Sequence, residues 1–135
     1  MTSTVVYLGD LECESTHLLS GSRIKTDAPP DNQGKGSAFS PTDLVATATA
    51  NCMLTIMGIK ARDHNWNIAG TKAEVLKIMG NNPRRISGIK IKITMPAAFH
   101  ADEKTRTILE NAGRTCPVLM SLHTDIEKEI QFIWP

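Results

Sequence analysis

The stretch from Leu44 to Ile59 contains no charged residue and a single Asn, and it is opened by Ser40-Pro41-Thr42-Asp43. Each opening residue suits a helix start. Ser40 can cap the free amides, Pro41 fits the first helical position because its missing N–H would have no partner there, and Asp43 can accept from the Ser40 amide. Lys60, Arg62 and His64 then supply the basic last turn that the helix dipole favours. The segment predicts a long helix, apolar on nearly all sides, and such a helix is a buried one. One layer of sheet from so short a chain covers one side only. The uncovered side points to a second subunit, so a dimer is expected.

The flanking segments read mostly as strand. Between residues 4 and 26, Val5, Tyr7, Leu11 and Cys13 fall on one parity and Asp10, Glu12 and Glu14 on the other, the two-residue period of a half-buried strand. Ser20-Gly21-Ser22 reads as a turn into a second short strand over Arg23 to Thr26. Asp27 to Ser37, with two prolines and two glycines, is loop. Its Gly34-Lys35-Gly36 lacks the spacing of a phosphate-binding loop and is expected to be mobile.

Residues 66–79 and 86–95 predict two antiparallel strands joined through Gly80-Asn81-Asn82-Pro83, the second alternating Ile89, Ile91 and Ile93 with Lys90, Lys92 and Thr94. A second helix is expected from about Asp102 to Gly113, with Ile108, Leu109 and Ala112 as a thin apolar stripe, and a short turn begins at Cys116-Pro117. Ile126, Lys128, Ile130, Phe132 and Trp134 share one parity in a final strand. This order predicts one α+β domain over residues 1–135, with antiparallel sheets around a long buried central helix.

Fifteen basic against fourteen acidic residues leave a net charge of +1 and no basic footprint for a nucleic-acid partner. Pro83-Arg84-Arg85-Ile86, with Lys90 and Lys92, alternates with apolar residues and reads as a solvated sheet face. No apolar run is expected to be long enough to span a membrane, and Met1 to Asp10 lacks the pattern of a signal peptide. The expected location is the cytoplasm, with no membrane partner.

Three cysteines, Cys13, Cys52 and Cys116, are too few for a disulfide scaffold of this size. In a reducing compartment each is a buried small hydrophobe, a metal ligand or a reactive thiol. Cys52 lies mid-helix, where packing among Ala and Met is one reading and reactivity another. Cys116 precedes Pro117, so it can cap a short helix whose amides and dipole favour a thiolate, or it can cap and do nothing more. Cys13 shares a parity with Val5, Tyr7 and Leu11 and is expected to be structural. The histidines His17, His64, His100 and His123 form no cluster and the cysteines no short pair, so no metal site is expected. A Cys-His hydrolase using His123 would leave one of the two cysteines idle.

Ser40-Pro41-Thr42-Asp43-Leu44-Val45 leading to Cys52, followed by the distant Cys116-Pro117-Val118, resembles the OsmC/Ohr family of thiol-dependent hydroperoxide reductases. The resemblance runs over nearly the whole chain, including Asp27-Ala28-Pro29, Pro83-Arg84-Arg85-Ile86 and the terminal strand. It implies an intertwined homodimer with two long helices back to back and active sites at the subunit interface. It also implies that Cys52 attacks a peroxide and becomes a sulfenic acid, that Cys116 resolves it as a disulfide, and that a dithiol such as a lipoylated protein restores the pair. No cofactor is implied.

In the Ohr branch an arginine from the N-terminal hairpin activates the helix cysteine and is held by a glutamate just after the helix-opening proline. Here that position is Thr42, and the acid stands one place on at Asp43. Nine residues at about 100° each put Asp43 roughly opposite Cys52 around the helix axis. Asp43 is therefore either a cap or an orienting carboxylate. Arg23 is the best-placed arginine, either the activator or an ordinary strand charge. The resemblance implies a peroxidase for organic hydroperoxides or hydrogen peroxide. The alternatives are a non-catalytic stress-response or ligand-binding dimer and a peroxide sensor.

Overall fold

The computed structural model describes residues 1–135, which divide into two compact units, residues 1–45 and 46–135. In the first unit β1 (Ser3–Gly9), β2 (Glu12–His17) and β3 (Arg23–Asp27) form an antiparallel sheet in that order. The single strand expected to run on from residue 4 is thus two. Gly9, Asp10 and Leu11 have φ of 92°, 49° and 65°, and these successive left-handed residues reverse the chain. The two-residue parity persisted across the turn and concealed it.

Apolar side chains stay exposed on both faces of this sheet, with Val5 and Tyr7 on one parity of β1 and Val6 and Leu8 on the other, all more than half exposed. Lys25 pairs with Glu12 at 2.7 Å across β2 and β3.

The segment after β3, expected to be mobile, is folded on itself. Gly34 donates its amide to the Pro29 carbonyl at 3.0 Å, and Gly36 donates to the Ala28 carbonyl at 3.1 Å. Asp27, buried, closes the base: its Oδ2 accepts the Ser37 amide at 2.9 Å and the Ser37 hydroxyl at 2.7 Å. A Cβ on Gly34 would sit 1.7 Å from the Ala28 carbonyl oxygen, so the close approach requires glycine.

Helix α1 (Pro41–Asp63) starts at the end of the first unit, as the sequence predicted. Ser40 Oγ accepts the Asp43 amide at 3.1 Å and Asp43 Oδ2 accepts the Ser40 amide at 2.9 Å, a reciprocal capping box. The helix is not buried all round. Ala46, Thr49, Ala50, Met53, Met57 and Ala61 recur at helical spacing and make one buried face, while Val45 and Ile59 are 40% and 43% exposed. Its composition is apolar on all sides, but one chain supplies cover for one side only. By length and composition α1 also passes for a membrane span, contrary to expectation, yet its buried face joins the core isoleucines Ile89, Ile91 and Ile93.

In the second unit β4 (Lys72–Gly80) and β5 (Arg85–Thr94) pair antiparallel through a turn at Asn82, whose φ is 57°. β4 begins later than expected because the helix exit takes up more chain: Asn65 is left-handed and the Trp66 amide returns to the Ala61 carbonyl at 2.8 Å. The outer face of the sheet is solvated and ion-paired, with Lys90–Glu129 at 2.6 Å and Lys92–Glu74 at 2.7 Å.

β6 (Glu127–Ile133) joins β5 in parallel, so the expected antiparallel sheets hold for the first sheet and for β4–β5 alone. The reason is the helical crossover between them, α2 (Glu103–Arg114) and α3 (Pro117–Ser121), which brings the chain back in the same direction. Asp102 caps α2 by accepting the Thr105 amide at 2.8 Å. Arg106 lies over the Trp134 ring at 5.5 Å and Arg114 over the Phe132 ring at 5.2 Å, tying α2 to the last strand. The crossover sets Cys116 between two helices of the same core.

Candidate active site

Cys116 is the N-cap of α3, with φ −64° and ψ 142°, and Pro117 takes the first helical position. Its sulfur accepts the Leu119 amide at 3.3 Å. The side chain has no solvent exposure. Its thiol faces the main-chain carbonyl of Thr49 on α1, with Sγ and O 3.9 Å apart and 67 positions between the two residues. Thr49 is itself fully buried. Cys52 follows Thr49 by three residues, so it stands one turn along on the same side of α1. Cys52 is half-buried, and both thiols are free.

Burial pushes the Cys116 thiol above its ordinary pKa; the Leu119 and Val118 amides oppose the rise, and the neighbouring Cys52 side chain adds to it. Of the two readings of this cap, a raised thiol favours the one in which Cys116 rests neutral. The cap geometry is present, but α3 has five residues, and its amides do not outweigh removal of the sulfur from water.

The other predicted site residues each have local partners. Asp43 is the carboxylate of the capping box. Arg23, on β3, pairs with Glu14 at 3.5 Å, both side chains well exposed. Cys13 on β2 is half-buried, opposite Tyr7 and Thr26 in the ladder. His123 is exposed and faces Asp125 at 3.7 Å, with its Nδ1 accepting the Asp125 amide. No group of three or more His, Cys, Asp or Glu is placed to hold a metal ion.

Sequence reasoning missed two partners. The Thr49 carbonyl is a main-chain group, and the only signal for it is the helical spacing from Cys52. The Asp27–Ser37 clasp was hidden inside a segment read as loop.

Two free thiols brought together from distant parts of the chain can exchange between dithiol and disulfide. A family model described as OsmC-like protein matches residues 34–131. A crystal structure from Psychrobacter arcticus 273-4, provisionally described as an osmotic stress induced and detoxification response protein, is 54% identical with a TM-score of 0.93, covering 98% of this chain and 95% of that one. An organic hydroperoxide resistance protein OsmC from Legionella pneumophila is 12% identical with a TM-score of 0.76, covering 98% and 97%. An organic hydroperoxide resistance protein from Elizabethkingia anophelis is 14% identical with a TM-score of 0.76, covering 100% and 97%. At these last two identities the likeness is one of fold. No curated protein matches the chain.

Proposed function

The chain belongs to the OsmC family, and from that premise we propose that it is a thiol-dependent peroxidase, reducing organic hydroperoxides or hydrogen peroxide through Cys52 and Cys116. The observation that carries this reading is the packing of the Cys116 thiol against the Thr49 carbonyl, one helical turn from Cys52. Cys52 is the half-buried member, open enough to meet a peroxide, while Cys116 is sealed behind it.

The Cys52 thiolate attacks one peroxide oxygen, the O–O bond breaks, and the sulfur becomes a sulfenic acid while an alcohol, or water, leaves. Cys116 then displaces hydroxide from that sulfur and the disulfide forms. A dithiol of the reducing cytoplasm restores both thiols. Fold relatives named for organic hydroperoxide resistance support the substrate class. The working unit is a homodimer. The exposed apolar residues of the β1–β3 sheet, and separately the uncovered side of α1, favour it, because exposed apolar patches are rarely left to water. Asp43 acts as a helix cap in this reading.

The test is peroxide consumption by reduced protein given cumene hydroperoxide or hydrogen peroxide with dihydrolipoamide, alongside the mass of any Cys52–Cys116 disulfide. Cys52→Ser should abolish turnover, and Cys116→Ser should leave a Cys52 sulfenic acid that dimedone traps. Consumption by Cys52→Ser at the wild-type rate would sink the proposal. Rapid oxidation without turnover by any dithiol would make the protein a sensor instead.

A further inference from the structure

We infer that Gly113 is a positioning residue for closure of the disulfide: having no side chain, it lets α2 settle onto Met53 and Met57 of α1 and so sets how deep Cys116 lies against that helix. That role rests on the reading of Cys52 and Cys116 as the reacting pair and names what seats the second thiol.

Gly113 stands one residue before the end of α2 and is buried with Leu109 and Ala112. Glycine costs a helix about 1 kcal/mol relative to alanine, and the backbone here does not require it, because its φ is not in the left-handed region. What the missing side chain supplies is room. A Cβ there would lie 3.1 Å from Met57 Sδ, 3.3 Å from Met57 Cγ and 3.6 Å from Met53 Cε, the first two closer than ordinary contact.

These neighbours line up with the seat of Cys116. Thr49, Met53 and Met57 recur every four residues on the buried face of α1, one above another. Gly113 rests at the Met53–Met57 end of this ridge. Cys116, three residues on, faces Thr49 with Sγ 3.9 Å from the carbonyl oxygen. Little slack separates the two contacts: the Cys116 amide donates to the Gly113 carbonyl at 3.3 Å, and the Thr115 amide to the Ala112 carbonyl at 3.3 Å. Met53 and Met57 have no solvent exposure, so their side chains can retreat only a short way in a close-packed core. A larger residue at 113 therefore lifts the end of α2, and the main-chain tie lifts Cys116 with it.

Closure joins Cys116–SH to the Cys52 sulfenic acid and releases water. The Cys116 sulfur attacks the Cys52 sulfur, the S–O bond breaks, and the hydroxyl departs with the thiol proton. A disulfide accepts a narrow geometry, its Cβ atoms about 3.5–4.5 Å apart, and a misplacement of about 1 Å can cost a positioned reaction about 100-fold. The earlier attack of Cys52 on peroxide makes no use of Cys116, and so none of Gly113.

The experiment separates the two steps. Reduced full-length protein carrying Cys13→Ser receives one equivalent of cumene hydroperoxide, and peroxide loss and the mass of the Cys52–Cys116 disulfide are followed together. Gly113→Val should consume the peroxide at the wild-type rate but close the disulfide about tenfold more slowly, while dimedone traps the accumulating Cys52 sulfenic acid. Gly113→Val with Met57→Ala, which removes as many heavy atoms as valine adds, should restore closure to within about threefold of wild type. Equal closure in wild type and Gly113→Val, equal slowing of both steps, or closure that stays slow in the double variant would overturn the assignment. Should Gly113→Val not fold, Gly113→Ala decides: about twofold slower closure is expected, and closure at the wild-type rate rejects the role.

The depth of Cys116 is also read without peroxide. Its alkylation by iodoacetamide in reduced protein should be about tenfold faster in Gly113→Val than in wild type, and return toward wild type in the double variant. Unchanged protection rejects the seating of Cys116 by Gly113 even where peroxide is consumed normally. Faster alkylation in a protein that consumes no peroxide rejects the peroxidase and keeps Gly113 as the residue that seats Cys116.

Discussion

Ser37 gives both its amide, at 2.9 Å, and its hydroxyl, at 2.7 Å, to one carboxylate oxygen of Asp27, ten positions earlier in the chain. These two bonds, the amide first, hold the Asp27 carboxyl below its usual range against the opposing effect of burial. The folded value lies below the unfolded one, so the ionised group stabilises the fold above about pH 4 and loses that contribution as pH falls through the folded value. Asp27→Asn should flatten the stability profile between about pH 4 and pH 2, measured by urea unfolding at each pH. Identical acid slopes in the two proteins would remove the clasp from the account.

The same loop has no room at Gly34. An added methyl group meets the Ala28 main-chain oxygen at 1.7 Å, and backbone cannot yield as a flexible side chain can. Gly34→Ala is expected to open residues 28–37 to limited proteolysis under conditions where the wild-type loop stays intact. Equal cleavage rates in the two proteins would contradict the closed loop.

Cys116 has the opposite sign from Asp27. Its thiol is raised, mainly by burial, so the neutral form belongs to the folded state. The stabilisation is complete below the unfolded thiol value of about 8.5 and is lost as pH rises through the higher folded value. Under reducing conditions the melting temperature of wild type should fall more steeply above about pH 8.5 than that of Cys116→Ser. Parallel alkaline limbs would show that the sulfur does not titrate with folding.

The α1 cap is reciprocal, and its two residues should not behave independently. Ser40→Ala and Asp43→Ala are each expected to destabilise by about 1 kcal/mol, as lost N-caps do. The double variant should lose less than the sum, because each single change already breaks the exchange of hydrogen bonds. Full additivity in denaturant unfolding would mean that each residue acts alone.

At Gly113 two effects oppose each other. Alanine in a helix gains about 1 kcal/mol over glycine, but its Cβ would lie 3.1 Å from Met57 Sδ and 3.3 Å from Met57 Cγ. A methionine tip can shift by a few tenths of an ångström, so Gly113→Ala should be close to neutral. Gly113→Leu has no such escape and is expected to destabilise by about 1–3 kcal/mol. Thermal unfolding of the two variants separates these outcomes.

The elements read well from sequence were those whose signals are local. Ser40 to Asp43 spelled out a helix start through side-chain chemistry, and the Ile89–Ile93 alternation described a sheet with one wet face. Cys52 and Cys116 stand out together through the resemblance, and the structure packs Cys116 against Thr49, one turn from Cys52. What escaped depended on distant partners. The parallel pairing of β6 with β5 is decided by the crossover rather than by any residue of β6. One-sided cover of α1 follows from how much chain is available to lie against it. The N-cap at Cys116 is legible, but its burial against Thr49 is not, and burial raises the thiol where the cap alone would lower it.

The crossover that carries Cys116 back onto α1 also fixes what oxidation would do to the unfolded chain. A Cys52–Cys116 bridge closes a loop of about 65 residues, and in the chain-entropy picture such a tether removes about 4 kcal/mol worth of freedom from the denatured state. The oxidised protein would then be a topologically constrained molecule that melts well above its dithiol form. Its redox state would be readable in a heating curve, and its reduction potential would reflect the stability of the whole domain as well as the chemistry of two sulfurs.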